Sequence, residues 1–108
     1  MKELIFRKGT GYGEIKVVMR ITGRLIYFKS NMNQQAEQLI KQMISKGINI
    51  EKGREWIRID LFSNVPSETP AKLGDIEVDL EEDSNEVIES KIAGFYVLQY
   101  TKGGFKLE

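Results

Sequence analysis

From Glu14 to Ser30 one set of alternate positions is apolar, with Val17, Met19 and Ile21 before a break at Thr22-Gly23 and Ile26 and Phe28 after it. A tight antiparallel hairpin is the local structure that satisfies this pattern. With Ile21 opposite Arg24, Met19 falls opposite Ile26 and Val17 opposite Phe28, so one face is apolar and requires a core to cover it. The other face then pairs Lys16 with Lys29, Val18 with Tyr27 and Arg20 with Leu25. Two lysines directly opposite each other repel by on the order of a few tenths of a kcal/mol, a cost that a bound anion would relieve.

Other elements follow from the same reasoning. Residues 3–8 read as a first strand, and Gly9-Thr10-Gly11-Tyr12-Gly13 as the turn behind it. An amphipathic helix is expected over 32–46: Asn31 caps it, Gln34 has capping-box spacing, and Gly47 stands at its end. Its apolar stripe is Ala36, Leu39, Ile40, Met43 and Ile44. Ile48-Asn49-Ile50 and Glu55–Phe62 bracket Glu51-Lys52-Gly53-Arg54 as a second hairpin, with Trp56, Arg58, Asp60 and Phe62 sharing a face. The loop from Ser63 to Leu73, which holds both prolines, reads equally as a functional loop or as a crossover connection. Asp75–Leu80 alternates strictly, with Ile76, Val78 and Leu80 inward; Glu81–Glu86 turns, Val87–Ile92 returns, and Gly94–Thr101 forms a last long strand. The expected fold is α+β, a small mixed or antiparallel β pseudo-barrel of about seven strands with one amphipathic helix, in a single domain over 1–108.

Composition closes most routes to catalysis. The chain has no Cys and no His, which excludes disulfides, thiolate zinc and thiol nucleophiles, and removes the commonest general base. A carboxylate-based hydrolase would need two acids converging in a pocket, and no glycine-flanked serine elbow offers another route. No enzymatic activity, metal or cofactor is therefore expected. Apolar runs are too short to span a bilayer and the N-terminus lacks a secretory core, so the expectation is a cytoplasmic protein without membrane association. Exposed strand edges leave a monomer or a weak homodimer.

The zero net charge conceals a dipole: residues 1–60 carry twelve Lys/Arg against six Asp/Glu, net +6, and residues 61–108 carry four against ten, net −6. The eight carboxylates from Asp75 to Glu89 lack calcium-loop spacing and read as a solvated strand face and turn. The glycine-rich turn is not a phosphate-binding P-loop, because no Lys-Ser/Thr pair follows it. The outer face of the first hairpin offers Lys16, Arg20 and Lys29 for phosphate, with Arg24 at the turn, and the ring of Tyr27 for stacking on a base. Arg7, Lys8 and Tyr12 extend that surface. The same residues also read as ordinary exposed strand positions, neutralised by a neighbouring acidic strand. Trp56, Arg58 and Phe62 form a second aromatic and basic face, unless closure of the sheet buries them.

Leu73-Gly74-Asp75-Ile76-Glu77-Val78, followed by an acidic turn and Val87–Gly94, resembles the Gly-Asp-x-Val-x-Val hairpin of PUA domains. Over its whole length, with Lys2-Glu3-Leu4-Ile5-Phe6 and Gly9–Ile15 at its start, the chain resembles the PrgU family, small cytoplasmic PUA-like proteins of Gram-positive conjugative plasmids. The resemblance implies a PUA-like fold and a non-enzymatic RNA-binding regulator that limits production of a conjugation surface protein through its transcript. The alternative is a protein-interaction module, an adaptor or inhibitor, using the acidic 75–89 hairpin.

Overall fold

The structure, a computed structural model, describes residues 2–32, 34, 38, 49–63, 65–66 and 69–108. Eight strands and one complete helix lie within them: β1 (Lys2–Thr10), β2 (Gly13–Thr22), β3 (Leu25–Ser30), β4 (Asn49–Lys52), β5 (Ile57–Asp60), β6 (Pro70–Leu73), β7 (Ile76–Asp79), α1 (Asn85–Lys102) and β8 (Lys106–Leu107). Six strands form one antiparallel sheet in the order β4-β5-β3-β2-β1-β8, and β6 and β7 form a separate two-stranded sheet. Of the helix expected over 32–46, Gln34 and Gln38 are helical and exposed, Met32 lies in a turn, and the remainder falls outside the described residues.

The apolar stripe of β2 and β3 is the heart of the core. Phe6, Val17, Met19, Ile21, Ile26, Phe28 and Ile59 are all fully buried on one face of the large sheet. They are covered by α1, whose residues Ile88, Ile92, Tyr96 and Tyr100 recur every fourth position and are buried in turn. Phe95, also buried, lies instead against Gly74 at the β6–β7 turn, so the helix is apolar on two sides because it sits between two sheets.

This helix overturns the expectation of strands at Val87–Ile92 and Gly94–Thr101. The β-branched and aromatic residues there, with Tyr96, Leu98 and Tyr100 in apparent alternation, favour a strand locally. Burial of the four-residue repeat against a sheet, together with good caps, outweighs that preference. Ser84 accepts a hydrogen bond from the Val87 amide at the start of the helix. At its end the Phe105 amide bonds the Tyr100 carbonyl and the Gly104 amide that of Thr101, with Gly104 at φ +89°, a Schellman stop sealed by the Tyr100–Phe105 ring contact. Gly94, expected to open the last strand, is an exposed helical position. The pseudo-barrel is overturned with it: β4 and β8 remain separate edges, because the segment that would have supplied closing strands is helical and lies across one face. The expected PUA-like return strand is absent for the same reason, and the acidic segment 75–89 is not a hairpin but β7, a run of turns and the first turn of α1.

The first hairpin has the expected faces but a different register. Thr22 pairs with Leu25, Ile21 with Ile26, Met19 with Phe28 and Val18 with Lys29, so the loop is Gly23-Arg24 instead of Thr22-Gly23. Gly23 has φ +56° and Arg24 does not have positive φ, the pattern of a type II′ turn, which demands glycine at its first central position. A slip of two residues preserves which side each residue faces and changes only its partner. Gly23 is buried, its amide donates to Glu89 Oε1 at 2.8 Å, and an added Cβ would meet the Asn85 side chain at 3.4 Å. Gly23→Ala is expected to destabilise the fold by about 1–2 kcal/mol, as read from a denaturant midpoint, because alanine resists this left-handed conformation.

The second hairpin differs in the same way. Lys52 pairs with Ile57, which places residues 53–56 in the loop instead of 51–54, closed by the Gly53 amide on the Trp56 carbonyl at 2.7 Å. The Pro-containing loop expected over 63–73 is shorter, since β6 begins at Pro70, a strand-end position that tolerates proline.

Candidate nucleic-acid interface

The face of the large sheet turned away from α1 is crossed by a row in which Glu3, Arg20, Tyr27, Arg58 and Glu51 stand side by side on five successive strands. The Arg20 Nε donates to Glu3 at 2.7 Å, and Arg58 pairs with Glu51. Tyr27, half-buried, lies between the two guanidinium-bearing strands. In the next row Ile5, Val18 and Lys29 are aligned, and in the one after that Arg7 stands opposite Lys16. The expected Lys16–Lys29 pair does not form, because the register places Lys29 opposite Val18; the repulsion attributed to that pair goes with it.

Trp56 closes the arrangement. Its ring lies 4.7 Å from the Arg20 guanidinium carbon and 5.8 Å from the Lys29 Nζ, both within cation–π range. Two open grooves flank this contact. One, of about 410 Å³, is lined by Lys16, Arg20, Lys29 and Trp56 with Glu3 and Ile5 among its other walls. The second, of about 320 Å³, is lined by Arg20, Thr22, Tyr27 and Trp56. Trp56 and Arg58 therefore belong to the same surface as Tyr27, not to a second face. Phe62 does not join them: β5 ends at Asp60, and Phe62 turns into the core. Parity along 55–62 already aligned Trp56 with Arg58; what the sequence does not show is that β5 pairs with β3 and so brings both beside Tyr27.

Of the other expected contact residues, Arg7 lies on this face, tied to Glu14 at 2.8 Å and to Glu108 at 3.2 Å, and these carboxylates hold its guanidinium further toward the charged form. Arg24 is at the hairpin tip, where its Nη2 holds Asp60 at 2.9 Å, and Asp60 also accepts from the Phe62 amide; the side chain fastens the β2–β3 turn to the end of β5. Lys8 is on the opposite side of the sheet, its Nζ 3.4 Å from the Gly103 carbonyl and 5.6 Å from the Phe105 ring centroid, where it caps the C-terminus of α1. Tyr12 is 99% exposed at the tip of the β1–β2 turn. The structure thus brings Lys16, Arg20, Tyr27, Lys29 and Arg7 together and leaves Arg24, Lys8 and Tyr12 outside the group.

The face is balanced in charge. Arg7, Arg20, Lys29 and Arg58 each stand within 4 Å of a carboxylate, the Lys29–Glu55 pair being the longest at 3.7 Å, and among the described residues Lys16 alone of these five cations has no such partner. Exposed pairs of this kind contribute little and exchange readily.

The acidic segment is partly occupied by its own structure. Asp79 Oδ1 accepts the Glu81 and Glu82 amides, Glu89 holds Gly23, and Asp83 binds Lys91 at 2.7 Å, which keeps the Asp83 carboxyl below its ordinary range. Among the described residues no group of three acids is placed to hold a metal ion, and no helix is long and apolar enough to cross a membrane. Comparison with family models, with curated proteins and with solved structures finds no match for this chain.

Proposed function

We propose that this chain is a non-enzymatic RNA-binding domain that takes single-stranded RNA on the open face of its large sheet. The observation that carries this reading is the placement of two half-buried aromatic rings, Tyr27 and Trp56, on one open β-surface among Lys16, Arg20 and Lys29. Unpaired bases stack on such rings whatever their sequence, and adjacent cations take the phosphates. Because carboxylates interleave with the cations, stacking supplies more of the affinity than long-range attraction does. The logarithm of the binding constant is accordingly expected to fall with the logarithm of salt with a slope of only about −1 to −2, the release expected from two or so phosphates. In the role implied by resemblance to the PrgU family, the RNA would be the transcript of a conjugation surface protein, and the regulator would act in the cytoplasm.

Lys16→Glu combined with Lys29→Glu tests the surface. A gel-shift titration with single-stranded RNA is expected to lose the complex, while the denaturation midpoint moves by less than about 1 kcal/mol, since both side chains are solvent-facing. Unchanged binding by the double variant would show that RNA, if bound, lies elsewhere.

A further inference from the structure

The two grooves share a wall made of Arg20 and Trp56, and each has its own further lining: Lys16 and Lys29 on one side, Thr22 and Tyr27 on the other. Resting on the RNA-binding reading, we infer that the site is built for one dinucleotide step, with a base in each groove and the bridging phosphate on Arg20.

Three observations point to two nucleotides. A strand passing from one groove into the other has to cross the Arg20–Trp56 contact, and among the described residues the guanidinium there is the only cationic group that lines both grooves. Arg20 donates its Nε–H to Glu3 at 2.7 Å, which leaves the N–H donors of its two terminal nitrogens for a phosphate. Aromatic surface is present for two bases: Tyr27 lines the smaller groove, and Trp56 borders both.

The chain contains a single tryptophan, so its fluorescence reports on this wall directly. Titrations with uridine 5′-monophosphate, with UpU and with the tetranucleotide UpUpUpU separate the possibilities. UpU is expected to bind about tenfold or more tighter than the mononucleotide, and the tetranucleotide only about threefold tighter than UpU, the gain from its additional registers. A mononucleotide that binds as well as UpU, or a tetranucleotide that gains another tenfold, overturns the two-nucleotide footprint and leaves RNA binding standing. If none of the three alters the fluorescence or binds by calorimetry, the RNA-binding reading itself is lost. In Arg20→Gln the step from mononucleotide to UpU is expected to shrink below about threefold; a full step retained would place the bridging phosphate on another residue.

Discussion

Trp56→Ala is expected to weaken binding of single-stranded RNA by about 10- to 100-fold, the loss that accompanies removal of one stacking ring. The ring lines both grooves and is the surface over which Arg20 and Lys29 are placed, so its removal eliminates the proposed base platform and loosens two cations together. Folding should be little affected. The β4–β5 loop is closed by the main chain, from the Gly53 amide to the Trp56 carbonyl, and the indole is not part of the buried core. Fluorescence anisotropy of labelled RNA measures the affinity, and a denaturant midpoint measured alongside it separates lost binding from lost structure.

Tyr96→Phe and Tyr100→Phe are each expected to raise stability, by about 1–2 kcal/mol, against the usual direction of core substitutions. Both hydroxyls are buried without a hydrogen-bond partner among the described residues, although the rings themselves are well placed. Tyr100 stacks on Phe6 with centroids 4.6 Å apart, and Tyr96 meets Phe95 edge-on at 5.4 Å. Phenylalanine keeps these contacts and removes only the desolvated oxygen. The two positions lie one helical turn apart with ring centroids 5.7 Å apart, so their effects are not expected to add fully.

A pH dependence accompanies this prediction. Burial pushes both tyrosine hydroxyls above their ordinary range, and for Tyr96 the neighbouring Tyr100 adds to the effect. The unfolded chain gives up these protons from about pH 10 upward while the folded chain retains them, so stability is complete below that pH and falls as pH rises beyond it. The doubly substituted protein should lose much of that alkaline slope. A loss of stability in either single variant would mean that the hydroxyls are in fact satisfied.

What the sequence revealed about the fold depended on how local the determining physics was. The two faces of the β2–β3 hairpin were legible because alternation over Val17, Met19, Ile21, Ile26 and Phe28 depends only on strand geometry. Its register was not, because it turns on whether Gly23 stands first or second in the loop, a choice made by the turn type. The helix at 85–102 was hidden by its composition: sandwiched between two sheets, it needs apolar residues on more than one side, and the strand-favouring Val, Ile, Tyr and Phe that fill it blur the four-residue repeat. At the site, Lys16, Arg20, Tyr27 and Lys29 could be grouped from one hairpin alone. Trp56 could not be added to them, since the pairing of β5 with β3 joins segments separated by the residues between Ser30 and Ile57. The interleaved carboxylates were equally out of reach, for Glu3, Glu51 and Glu55 come from three different segments.

The proposed placement of RNA on the open sheet face is tested most directly by mapping backbone and indole amide shifts in ¹H–¹⁵N spectra as a short oligouridylate is added. The expected result is a cluster of shifts at Lys16, Arg20, Tyr27, Lys29 and the Trp56 indole N–H, with Lys8, Tyr12 and the acidic residues 75–89 unmoved. Shifts confined to 75–89 or to the helix side of the sheet, or no shifts at all, would contradict it.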